Sequence, residues 1–347
     1  MRRVAAMPEL RAAQTVAEHL VATDAVGGRG WTLGPLGVGA ERMVRGVLRP
    51  PHGSASGALL LSLAPAGASA ASTALERAAR SLEQLASLQL DAPLRELLPV
   101  PPIRHGTLEG WTWLVQRQLP GTSGERIATH GTPAARDRLL ASSAEAIGRL
   151  HAATAVPLGT DLASDAWVWA RVRRIAQLEP SLERSLSAVA DRAAAGLAGR
   201  GPAGAWVHGD LWSANVLLGM GGDVVSGLVD WESAGVGEHP CQDGVHLVLM
   251  TRRQAAGGSY GDQVRRALAE PDWSSAEASV LARAGLELTT AEARGIPVSL
   301  PGDPIPAESG ILIAWLRQVV ENVARRPALA QDRGWVEANI AEVARWA

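Results

Sequence analysis

The sequence predicts an α+β protein in which a strand-rich first part is followed by a larger, mainly helical one. Two observations carry this. Short apolar runs separated by Gly and Pro recur between residues 31 and 119, whereas apolar positions at helical spacing dominate from residue 133 onward. A chain of 347 residues with 47% hydrophobic content can bury a core in each part.

Composition excludes several classes. With 33 basic and 35 acidic residues, the net charge of -2 gives no electrostatic case for nucleic acid. Cys241 is the single cysteine, which rules out an intramolecular disulfide framework and a cysteine-built zinc site and fits a reducing compartment. Met1-Arg2-Arg3 is followed by Glu9, Arg11 and Glu18, so no apolar signal-peptide core follows it. No stretch reaches the roughly 20 apolar residues of a membrane span. The expected location is cytoplasmic. Every basic residue other than the histidines is Arg: lysine is absent, as is phenylalanine, and Tyr260 is the one tyrosine.

In chain order, residues 8–23 read as a helix broken by Gly27-Gly28-Arg29-Gly30. Strands are expected at Trp31–Leu33, Arg42–Leu48 and Ala58–Leu63, with a turn bearing Gly34, Gly37 and Gly39 and a Pro/Gly/Ser loop over 50–57. Helix signals begin at Ser72. Alternation over Gly110–Leu119, then Pro120-Gly121, marks one more strand and its exit. A long amphipathic helix over 133–153 ends in Leu150-His151, with His151 a packing and hydrogen-bonding residue. Another helical region runs from Trp167 to about Gly199, and its Arg171-Val172-Arg173-Arg174 cluster reads as a solvated face. Beyond Asp243 the chain reads as helical, interrupted at Ala255–Gly258 and Gly295–Gly310. A slight acidic excess from Glu232 onward is compatible with a cationic partner.

The chemistry concentrates in Trp206-Val207-His208-Gly209-Asp210-Leu211-Trp212-Ser213-Ala214-Asn215-Val216-Leu217-Leu218 and the later Gly227-Leu228-Val229-Asp230-Trp231-Glu232. An apolar run ends in His-Gly-Asp, an Asn enters a second apolar run, and a further carboxylate follows. Phosphoryl transfer needs one carboxylate to hold the acceptor hydroxyl and take its proton. It also needs an amide oxygen and a second carboxylate to hold magnesium against the nucleotide phosphates. The spacing of Asp210, Asn215 and Asp230 is that of the catalytic loop and second metal-binding Asp of protein kinases.

These residues, with Glu238-His239-Pro240-Cys241-Gln242-Asp243, resemble the aminoglycoside phosphotransferase and choline kinase family, which shares the protein-kinase fold. Gly209 after the His and Trp231-Glu232 after the second Asp point to its small-molecule branch. The resemblance implies a bilobal fold, with a small antiparallel-sheet N-lobe over 1–120 and a helical C-lobe over 121–347 holding the acceptor pocket. It implies that Asp210 is the catalytic base, that Asn215 and Asp230 bind magnesium, and that His208 and Asp243 support the loop. Hinge backbone from Arg117 to Leu119 would read the nucleotide base. The donor would be ATP or GTP and the acceptor a hydroxyl-bearing small molecule.

One position departs from the family pattern. Ser62 stands where the family carries its nucleotide-binding Lys, and Glu76, which would pair with that Lys, loses its partner. Either Arg42 or Arg45 on a neighbouring strand reaches in, or nucleotide binding is weakened, altered or lost. We lean towards loss of the usual cation with some activity retained, because the third strand carries no Arg to replace the Lys directly. Two other readings compete: a Ser/Thr kinase acting on a natural-product precursor peptide with a partner protein, and a pseudokinase that binds without transfer.

Overall fold

Ala13, Val16, Ala17 and Leu20 repeat at a spacing that places them on one face of a helix, and all four are buried. In the computed structural model, which describes residues 7–26, 30–38, 43–52, 57–67, 69–101, 103–288 and 300–346, they lie on α1 (Met7–Ala22). They share a core with Leu59, Leu61, Leu63, Trp111, Trp113 and Val115. Each large side chain so buried stabilises the fold by about 1.5–3 kcal/mol.

That core belongs to the first of two units, Met1–Pro120 together with Gly227–Glu232. Its strands are β1 (Thr32–Leu33), β2 (Gly37–Val38), β3 (Val44–Arg49), β4 (Leu59–Pro65), β5 (Ile103–Leu108) and β6 (Trp111–Arg117). They form one antiparallel sheet in the order β1-β3-β4-β6-β5, with β2 also on β3. Period-two alternation turns Leu59, Leu61 and Leu63 towards α1. Ser62, Ala64 and Thr112 take the other face. There α2 (Ala70–Ser87) packs, with Ser72 Oγ 2.7 Å from Thr112 Oγ1. The helix begins before Ser72 because the Ser69 side chain caps it by accepting the Ser72 N–H. A short helix, α3 (Ala92–Glu96), follows.

Strand β5 is absent from the sequence reading. Its Arg104, His105, Gly106 and Thr107 carry no apolar alternation, and its turn, Glu109-Gly110, reaches positive φ at both residues (49° and 77°) without the usual Asn-Gly signal. Gly27–Arg29, Gly39, Arg42 and residues 53–56 of the 50–57 loop lie outside the described residues. The 227–232 segment closes the unit. Leu228 donates its N–H to Leu97 O at 2.8 Å, and Gly227 lies under Leu119, whose Cδ1 would meet a Cβ at 2.7 Å.

The second unit is Gly121–Ser226 with Ser233–Ala347. Its strands are β7 (Thr122–Ser123), β8 (Val156–Pro157), β9 (Ala203–Val207), β10 (Val216–Leu218), β11 (Val225–Leu228, which runs on into the first unit) and β12 (Gly235–Glu238). They make two small sheets, ordered β11-β10-β7 and β12-β9-β8. The larger helices are α4 (Pro133–Thr154), α5 (Ala170–Leu178), α6 (Glu183–Ala195), α7 (Cys241–Ala256), α8 (Tyr260–Ala269), α9 (Ser275–Arg283) and α10 (Ala307–Arg325). From Ser309 to Val320 every residue of α10 is buried, as for a helix surrounded by others. The helical region expected to about Gly199 comprises more than one helix: α5 ends at Leu178 because Pro180 cannot continue it, and α6 follows. The segment read as a loop to Gly310 is shorter. Leu286–Glu287 and Ile305–Pro306 pair in parallel and α10 starts at Ala307; residues 289–299 lie outside the described ones.

Candidate active site

In the second unit, β9 delivers His208, Gly209 and Asp210 from a fully buried strand. Asp243, at the first turn of α7, accepts the backbone N–H of His208 through Oδ2 and of Gly209 through Oδ1, both at 2.8 Å. His151, at the end of α4, lies with Nε2 2.9 Å from Asp243 Oδ2. Burial alone would raise the pKa of Asp243. His151, His208 and the Gly209 N–H outweigh it, so the carboxyl is held below its ordinary range. Asp210 donates its own N–H to His208 Nδ1 at 3.4 Å, and Asn215 Nδ2 donates to the Asp210 carbonyl at 2.8 Å. His208, Asp210, Asn215 and Asp243 therefore form one connected hydrogen-bonded piece.

The Asp210 carboxylate faces two basic side chains. Arg325 Nη1 donates to Oδ2 at 3.0 Å and to Ser233 Oγ at 3.2 Å. His246 Nε2 lies 3.2 Å from Oδ1 but outside hydrogen-bonding geometry, so Arg325 is the better-defined partner. Burial pushes the Asp210 pKa up, and the His246 ring and Arg325 push it down by more; the carboxyl stays well below the usual range.

Several of these partners escaped the sequence reading. Buried Arg317 donates to Gly209 O at 2.7 Å and to Ser233 O, tying the two segments together. Arg171, read as part of a solvated face, is instead buried, and its Nη2 lies 2.6 Å from both carboxylate oxygens of Glu238. Burial would raise the pKa of Glu238, but Arg171 and Arg317 bring it down. The signal in the sequence was Arg317 itself, a charge inside the apolar run Ile311–Val320.

The first unit holds the remaining expected residues. Asp230 adopts φ 62°, a left-handed conformation that Asp tolerates better than most residues. Its Oδ1 accepts from Arg45 Nη2 at 3.2 Å. Ser62 is buried on β4, with Arg45 and Leu114 as its register partners on β3 and β6. Glu76 is exposed and 3.4 Å from Ser72 Oγ; among the described residues no Arg side chain pairs with it. Arg42 lies outside the described residues. Arg117 sends Nη2 to the carbonyls of Arg95, Glu96 and Leu98. Its backbone N–H donates to Pro99 O and that of Gln118 to Ala58 O. Leu119 makes no backbone hydrogen bond among the described residues, which leaves its N–H and C=O available.

The donors suit magnesium chemically. Asn215 directs its Nδ2 to Asp210 O, which leaves its Oδ1 as an oxygen donor, and Asp230 Oδ2 has no partner among the described residues. No group of three or more His, Cys, Asp or Glu among the described residues could form an all-protein metal cage. No helix among them is long and apolar enough to cross a membrane.

Residues 52–278 match the family described as the phosphotransferase enzyme family. No curated protein matches the sequence. The fold is similar to that of a thermostable mutant of the aminoglycoside phosphotransferase APH(4)-Ia, solved as a ternary complex with ADP and hygromycin B. The TM-score is 0.52 at 16% identity, over 95% of this chain and 98% of that one. It is also similar to the ethanolamine kinase of Plasmodium vivax, with TM-score 0.50 at 10% identity, over 90% and 81% of the two chains. At such identities the likeness speaks for fold, and it makes the architecture the bilobal α+β fold of the kinase-like proteins. The family match covers well over half of the chain, and with it the chain belongs to the phosphotransferase enzyme family.

Proposed function

We propose that the protein transfers the terminal phosphoryl group of ATP or GTP to a hydroxyl of a small molecule. The observation that carries this reading is the hydrogen-bonded piece built from His208, Asp210, Asn215 and Asp243, which holds the Asp210 carboxylate against Arg325. Asp210 accepts the hydrogen of the acceptor hydroxyl and aims its oxygen at the terminal phosphorus. As that oxygen bonds to phosphorus, the bond to the bridging oxygen breaks, its electrons leave with the nucleoside diphosphate, and the hydroxyl proton passes to Asp210. A carboxyl held well below the usual range is a weak base. That suffices where the transition state is loose and the proton is released late, since position then matters more than basicity.

Asn215 and Asp230 would hold magnesium, whose charge offsets that of the phosphate oxygens. His208 and Asp243 keep the loop in place, and the free Leu119 backbone supplies a donor and an acceptor for a base edge. Arg325 must yield one lone pair of Asp210 to the acceptor. Hygromycin B and ethanolamine, named with the structural relatives, are the first acceptors to try.

The test is mass spectrometry of each candidate acceptor after incubation with ATP or GTP and magnesium. The expected result is the gain of one phosphoryl group, lost on the order of 10²–10⁴-fold in rate in Asp210→Asn, with nucleotide affinity nearly unchanged. A protein that binds neither nucleotide by calorimetry, with or without magnesium, is not a phosphotransferase of this kind.

A further inference from the structure

The chain contains no lysine, yet a site for a triphosphate needs a mobile cation that can face its oxygens. Within the first unit the candidates thin out quickly. Arg117 is spent on three backbone carbonyls. Arg80 donates to Glu76 O on its own helix, and Arg95 to Leu88 O. Arg45 differs. It sits on β3 directly across from Ser62 on β4, so the two side chains share one face of the sheet. Its guanidinium crosses to the Asp230 carboxylate, 3.2 Å away, while the side chain stays 44% exposed.

We propose that Arg45 is the phosphate-binding cation of this protein, supplied from β3 in place of a lysine on β4. The inference rests on the phosphotransferase reading. An exposed Arg–Asp pair contributes little to stability, so its value is one of position. If Asp230 takes magnesium, a cation within hydrogen-bonding distance of that carboxylate is within reach of the phosphate oxygens the metal also touches. Small, buried Ser62 leaves the shared face open for the long Arg45 side chain, where a lysine would crowd it. Glu76, with no ion pair among the described residues, fits an arrangement in which the β4 cation has gone.

The experiment measures binding of magnesium ATP, magnesium GTP and adenosine by calorimetry to wild type, Arg45→Met, Arg45→Lys and the double variant Arg45→Met/Ser62→Lys. We expect Arg45→Met to weaken the nucleotide that wild type binds by on the order of 10²-fold, with adenosine affinity unchanged. Arg45→Lys should keep part of the affinity. The double variant should recover most of it, because the new ammonium rises beside the vacated place on the same face. Equal affinity of Arg45→Met and wild type overturns the assignment, as does an equal loss for nucleotide and adenosine, which would indicate a merely structural role. Wild type that binds no nucleotide overturns the phosphotransferase reading first and this inference with it. Because Arg45 is exposed, the melting temperature without nucleotide should stay close to wild type in Arg45→Met and Arg45→Lys, and Arg45→Gln serves as a second neutral variant if it does not.

Discussion

Gly209 shows how tightly one position can be specified. Its φ is 79°, and a Cβ there would lie 2.1 Å from Ser233 O and against the Arg317 guanidinium. Any side chain between the His and the Asp would displace the loop that carries Asp210, so Gly209→Ala should lose both stability and turnover. His239 specifies a pH dependence. It is buried, its Nδ1 accepts the Cys241 N–H at 3.1 Å, and it meets Trp167 edge-on with ring centres 5.4 Å apart. Burial, with His151 adding to it, pushes its pKa from 6.5 down to about 3. Between those values the unfolded chain binds a proton that the folded chain refuses. Stability from this residue is therefore complete above about pH 6.5, falls as pH drops, and stops falling below about 3, at about 1.4 kcal/mol per pH unit. Denaturant unfolding at pH 7 and pH 5 should differ by about 2 kcal/mol on this account. His239→Gln should be less stable at pH 7 and show a smaller difference between the two.

At the scale of elements, α10 ties the site together. It is buried on all sides over Ser309–Val320, yet it carries Arg317 to Gly209 O and Ser233 O and, at its last residue, Arg325 to Asp210. Arg317→Met keeps the length but leaves two buried carbonyls without their donor and Glu238 with one cation fewer. A loss of about 3 kcal/mol is expected in chemical denaturation. What the sequence showed of this site were its short-range parts. His208, Gly209, Asp210 and Asn215 lie within one turn and its flanks, where spacing alone fixes neighbours. Arg317 and Arg325 come from a helix about a hundred residues further on, and no local pattern says which buried charge faces which carboxylate. Arg171 misled for the same reason: Arg173 and Arg174 beside it are indeed in solvent or at its edge, and only the tertiary position of Glu238 sets Arg171 apart. β5 stayed hidden because an edge strand that buries little needs no apolar alternation.

At the scale of the whole molecule, the chain does not divide into two consecutive pieces. Gly227–Glu232 belongs to the first unit, although residues 121–226 and everything after 232 belong to the second. A fragment of residues 1–120 lacks the Leu228 N–H for Leu97 O, the buried Trp231 and the Asp230 partner of Arg45. Heat capacity scans should show no sharp cooperative transition for that fragment, in contrast to the full chain; a sharp one would mean that the insertion is dispensable. The same insertion has a consequence during synthesis. The ribosome must make the whole of 121–226 before it releases the segment that completes the first unit, a wait of roughly 5–20 s at ordinary elongation rates. Through that interval the first unit lacks its last segment, and the seat of Leu228 and Trp231 is open. It is the moment at which a holding chaperone would find the nascent chain most worth binding.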